Sequence, residues 1–199
     1  MAKIDHPKLI DLLQQAYSAE RAAAFAYIGH ANSVRNPEAK KAIRQIEIDE
    51  WNHRDEVLKI MKEYDVPVSN YYEVKFYLMG RLISFSCHVI GWFMPYYFAG
   101  RLESGNVCEY FFMMQYFHSL EIRKHDDILF EMGIKEKEHE VYFLNQIKHS
   151  KLLPFFEKVF AWGKTKSFND VNMNEVFFKS ESHAYCKHHN EQENSHKSV

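Results

Sequence analysis

The 199-residue sequence predicts an all-α protein: a four-helix bundle with a long apolar crossover segment and a short extra C-terminal helix. Three observations predict it. Strong helix formers run in long stretches, as in "LIDLLQQAYSAERAAAFAYIGHA". Capping residues and prolines punctuate those stretches at helix-like intervals. Gly and Pro are otherwise scarce, at 7 and 5 residues, while aromatic residues reach 16%, a composition suited to dense packing between helices.

The elements follow in order. The first helix is expected from about Pro7 to Ser33, with Asp5 as its cap and Pro7 in its first turn. "RNPEAKK" is a turn and restart: Asn36 caps, Pro37 opens the second helix, and Glu38 favours its positive end. That helix runs to about Tyr64, where "DVPVSN" ends it, and Asn70 with Glu73 resembles a capping box opening the next. Residues 74–102 are the most apolar stretch, interrupted by Gly80, Arg81, His88, Gly91 and Pro95. Three readings are open for it: a buried helix pair kinked near Gly91–Pro95, a surface that lies on a membrane or receives a greasy substrate, and a membrane span. The third helix proper continues through "ESGNVCEYFFMMQYF", a turn falls near residues 118–121, and the fourth helix reaches about His149. "KLLPFFEKVFAWG" reads as a short amphipathic closing helix. The chain then turns polar, so the helical body is expected over 1–165 and a loose tail over 166–199.

Net charge of −2 and the absence of a basic stripe argue against nucleic acid as a partner. Three cysteines without CxxC spacing favour a reducing compartment, and the N-terminus shows no charged-then-apolar leader pattern, so an intracellular, cytoplasmic location is expected.

The chemistry lies in "EIDEWNHRDE", where Glu50 stands three residues before His53. That spacing aims both side chains toward one spot on a helix. A bare match is weak, because the chain also holds Glu136/His139 and Glu193/His196, and chance supplies roughly one such pair. The last pair lies in the polar tail, with His183, Cys186, His188 and His189, and is the weakest candidate. Position separates the other two. Each lies on the second helix of an expected hairpin. Walking back through the turn from Glu50 reaches Glu20, 30 residues earlier; from Glu136 it reaches Glu103, 33 residues earlier. Equal legs of about 22–25 Å bring such residues level. Glu109 is a rival to Glu103, on shorter legs, and stays open. Two packed hairpins would gather four Glu and two His, the ligand set of a carboxylate-bridged di-iron or di-manganese site. Carboxylates are hard anionic ligands that bridge cations, and imidazole suits iron.

At this point the sequence resembles the ferritin-like di-iron superfamily, and within it the demethoxyubiquinone hydroxylase family, over residues 8–148. Glu20, Glu50, His53, Glu103, Glu136 and His139 carry the resemblance, together with "EKEH" and the apolar stretch before Glu103. It implies two iron ions (manganese or a mixed iron–manganese pair share the ligands), dioxygen, and a hydrophobic, quinone-like substrate in ubiquinone biosynthesis. It also implies an unidentified electron donor and a peripheral place on the inner membrane face through 74–102. A homodimer is compatible with it. One departure is that the family's His-Tyr pair after the third-helix Glu is here Glu109 and Tyr110, which puts a quinone substrate in doubt and leaves those two residues as candidates for the substrate channel.

Three function classes follow: a monooxygenase on a hydrophobic substrate, iron handling or peroxide reduction as in ferritin-like or rubrerythrin-like proteins, and a helical binding protein.

Overall fold

The computed structural model describes residues 3–160, which form six α-helices and no strand. The chain divides into two compact units, residues 1–95 and 96–199. The expected body–tail boundary near residue 165, the tail, and the candidates Glu193, His196, His183, Cys186, His188 and His189 lie outside the described residues.

In the first unit α1 spans Pro7–Ser33, α2 Pro37–Glu63 and α3 Asn70–Ser86. The cap of α1 is His6, not the expected Asp5: its Nδ1 accepts the Leu9 amide at 3.0 Å. Pro7 takes the first helical position, so the cap is the residue before it, and Asp5 falls one residue early. Asn36 does cap α2, its Oδ1 accepting the amides of Glu38 at 2.9 Å and Ala39 at 3.0 Å. At the other end Asp65 adopts a φ of 57° and Val66 donates to the Met61 carbonyl at 2.9 Å, which turns the chain out of α2.

The core stripe of α1 is Leu9, Leu13, Ala16, Glu20, Ala24, Tyr27 and Ala31, and that of α2 is Ile43, Ile46, Glu50, His53, Val57 and Ile60. The three- and four-residue steps mark one helical face in each. Both stripes carry charged or polar residues at mid-length among apolar ones.

The expected capping box of α3 does not form. Ser69 is the cap, its hydroxyl accepting the Tyr72 amide at 3.4 Å, and Asn70 is the first helical residue. Glu73 turns instead to Arg54 and Arg21. Two guanidinium groups offer a carboxylate charge-assisted hydrogen bonds that a backbone amide cannot match. α3 packs on α1 through glycines. A Cβ on Gly80 would stand 2.6 Å from Ala22 Cα, and one on Gly29 would meet the Ser84 backbone.

The reading of 74–102 as a buried helix pair is corrected for its first half. Gly80 is the buried residue of α3, while Tyr71, Val74, Leu78, Leu82 and Phe85 are each about 60–69% exposed. α3 lays its Gly80 side on α1, and its large apolar residues face outward. The expected interruption is a full break. Residues 87–92 are irregular, Gly91 has a φ of 81°, and α4 starts at Phe93 with Pro95 in its first turn, where no intrahelical amide is required. Among the described residues no helix is long and apolar enough to cross a membrane.

The second unit holds α4 from its first turn onward (the helix spans Phe93–Ser119), α5, Asp126–Ile147, and α6, Leu153–Phe160. The α4–α5 turn falls at residues 120–125, slightly later than expected, with Glu121 at a φ of 60°. His118 holds that turn by a 2.7 Å contact from its Nε2 to Asp126 Oδ1. Phe111 of α4 stacks on Phe130 of α5 with centroids 5.9 Å apart, and Gly133 leaves room for the Phe111 ring. α6 closes on the start of α4: the Tyr97 hydroxyl donates to the Phe156 carbonyl at 3.1 Å, and Phe98 meets Phe160 edge-on.

Candidate metal centre

In the first unit the α1–α2 hairpin brings Glu20 level with Glu50 and His53. Each of the three offers a ligand atom, and these atoms lie within 4.8 Å of one another. All three side chains are buried, Glu50 completely. In the second unit the α4–α5 hairpin does the same for Glu103, Glu136 and His139, again within 4.8 Å and all buried. His139 Nδ1 lies 3.7 Å from Glu136 Oε2. The two triads have the same composition: one Glu on the first helix of a hairpin, a Glu-x-x-His on the second.

Each of the six residues sits in the apolar stripe of its helix. Glu103 is flanked one turn away by Ala99 and Val107, Glu136 by Met132, and His139 by Phe143. A carboxylate in such a position carries a large desolvation cost unless a cation or hydrogen bonds offset it. The effect shows at Glu103. Burial first, then the charge and hydrogen bonding of Glu136, push its carboxyl well above the usual carboxylate range, and His139 and the 3.0 Å hydrogen bond from Asn106 only partly oppose this. Two anionic oxygens held close in an apolar setting either share a proton or hold a cation. The donors are carboxylate oxygen and imidazole nitrogen, which fits a hard or borderline divalent ion such as iron, manganese or zinc. Each triad can therefore hold a metal ion.

Glu109, the alternative to Glu103, is half-buried, and among the described residues the ligand groupings include Glu103 and leave Glu109 out. Tyr110 is buried in the same stripe of α4 as Glu103, two turns on, with its ring among core residues. The segment "KEKEHE" around Glu136 and His139 splits by face. Lys135 and Glu138 pair at 2.6 Å on the exposed side, while Lys137 and Glu140 pair at 2.7 Å in a buried position beside the ligands.

Sequence reasoning missed a charged network behind the first triad. Arg54 forks onto Glu73, Nη1 to Oε1 at 3.1 Å and Nη2 to Oε2 at 3.0 Å, and Arg21 reaches Glu73 Oε2 at 2.9 Å. Arg54 also lies 3.6 Å over the Tyr17 ring and donates to the Tyr17 carbonyl. Burial alone would raise the Glu73 carboxyl, but hydrogen bonding from Arg54 and Ser18 and the charges of Arg54 and Arg21 outweigh it and hold it below the usual range. The available signal was that Arg21 and Arg54 each directly follow a candidate ligand.

Fold and site together define the class: an all-α protein with two buried carboxylate–histidine clusters, each able to bind a metal ion. Comparison with protein-family models, curated proteins and solved structures finds no match to this chain.

Proposed function

We propose that this chain is a ferritin-like di-iron protein, an O2-dependent hydroxylase acting on a hydrophobic, quinone-like substrate. The observation that carries the reading is the repeated triad: Glu20 with Glu50/His53 and Glu103 with Glu136/His139, each buried and drawn together by its own hairpin. Four carboxylates supply four negative charges, which balance two divalent ions. In this reading each triad would hold a divalent ion, with His53 and His139 as the nitrogen donors and Glu20, Glu50, Glu103 and Glu136 as the carboxylate donors. When bound, the iron pair would supply the reductive activation of dioxygen. The chain's own part is to hold the ligands rigidly, exclude water with the surrounding apolar side chains, and position the substrate.

The outer face of α3 supports the hydrophobic substrate. Val74, Leu78, Leu82 and Phe85 form an exposed apolar stripe, larger than single scattered residues would explain, and exposed Lys75 and Arg81 flank it. Such a face suits the surface of an anionic membrane from which a lipid substrate is drawn. Iron storage and peroxide removal use the same ligands but give no role to this face.

The test is metal content and oxygen consumption of protein produced with iron. About two irons per chain, with oxygen uptake accelerated by a lipid quinone and a reductant, is the expected result. Two irons without acceleration by any lipid substrate would move the assignment to iron handling, and no iron would remove it.

A further inference from the structure

The charged network behind the first triad has a geometry that ion pairing for stability does not require. Arg21 directly follows Glu20 on α1, and Arg54 directly follows His53 on α2. Neighbours on a helix are fixed about 100° apart, so an angle imposed on one is imposed on the other. Both guanidinium groups converge on Glu73, the acid in the first turn of α3. Arg54 binds it in a two-pronged fork, which fixes orientation as well as distance. Arg21 holds it twice, through the carboxylate and through the Glu73 carbonyl at 2.5 Å. Tyr17 completes the clamp, its ring under Arg54 and its carbonyl accepting from it. α1, α2 and α3 are therefore bolted together one residue away from two of the three ligands in the triad.

From this juxtaposition we infer that Glu73 is a positioning residue for the metal site: it sets the rotation of α1 and α2 so that Glu20 and His53 point at a common ion. The inference rests on the metal-binding reading of the triad. Ion pairs out of water are weak contributors to stability, and an apolar replacement often serves stability equally well. Their use here lies in specifying one geometry. Substitutions in the shell that orients metal ligands typically cost about 10–100-fold in metal affinity.

The experiment titrates the full-length, metal-free protein with cobalt(II), an optical stand-in for iron(II). It compares the wild type, Glu73→Gln, and Leu13→Ala. Leu13 is fully buried in α1 and touches no ligand role, so its truncation reports on stability alone. The expected result is about a 10–100-fold loss of cobalt affinity in Glu73→Gln, with an altered cobalt absorption spectrum. Leu13→Ala is expected to lower the thermal midpoint and keep the wild-type affinity and spectrum. If Glu73→Gln does not fold, Arg54→Lys keeps the charge, loses the fork and is expected to show the same loss. Wild-type affinity and spectrum in these variants would overturn the positioning role alone. No cobalt binding by the wild type would overturn the metal site, and this role with it.

Discussion

At the residue scale, six polar side chains occupy positions that helix periodicity reserves for apolar ones. That placement makes the histidines sensitive probes. Replacing His53 or His139 with Ala removes the nitrogen donor of one triad and leaves its clustered carboxylates uncompensated. Iron content is expected to fall from about two per chain to about one or less in either variant, measured by elemental analysis. Equal iron in the wild type and both variants would refute the ligand assignment. A second residue, His30, is buried on α1 away from the triad, and burial lowers its pKa from 6.5 to about 4. The folded protein thus refuses a proton that the unfolded chain accepts. Its contribution is intact above pH 6.5 and is lost as pH falls from there toward 4, by up to roughly 3 kcal/mol. Urea denaturation across that window should show the decline, and His30→Gln should flatten it.

At the element scale, α1 is the axis of the first unit, because α2 and α3 both pack on it. The α1–α3 approach depends on Gly80 lying against the Ala22 backbone and Gly29 against Ser84. A methyl group at Gly80 has backbone, not a flexible side chain, in its way. Gly80→Ala should therefore destabilise by about 1–3 kcal/mol despite alanine's better helix propensity, as measured by chemical denaturation. A stabilised variant would show that the two helices can move apart at no cost. The same crossing explains why α3 turns its apolar residues outward. Its small residues are spent on α1, and its large ones remain for another surface.

At the scale of the whole molecule, the metal and the fold are linked. Clustered buried carboxylates oppose folding until a cation joins them, so the metal-loaded protein should be the more stable form. Free iron(II) at 100 times its dissociation constant should add about 2.7 kcal/mol, seen as a raised thermal midpoint that a chelator reverses. An identical midpoint with and without metal would favour a helical binding protein with a structural polar cluster.

Much of the local architecture was legible in the residues. Helix extents, the Asn36 cap and the break before α4 follow from rules acting over a few residues. The level placement of Glu20 with Glu50 and of Glu103 with Glu136 follows from equal hairpin legs at a constant rise per residue. Two local readings failed, one to an adjacent residue and one to groups distant in sequence. His6 displaced Asp5 at the start of α1 because Pro7 set the first turn, and Glu73 left its capping role for two guanidinium groups. The sequence by itself determined the helices, their approximate turns and the candidate ligands, with Glu103 and Glu109 as alternatives on α4, because these depend on period, spacing and residue chemistry. Only the tertiary structure decided which face of α3 stays exposed, that Glu103 rather than Glu109 joins the buried cluster, and that Glu73 binds Arg21 and Arg54. Those outcomes depend on which helix packs beside which, and no local pattern encodes that choice.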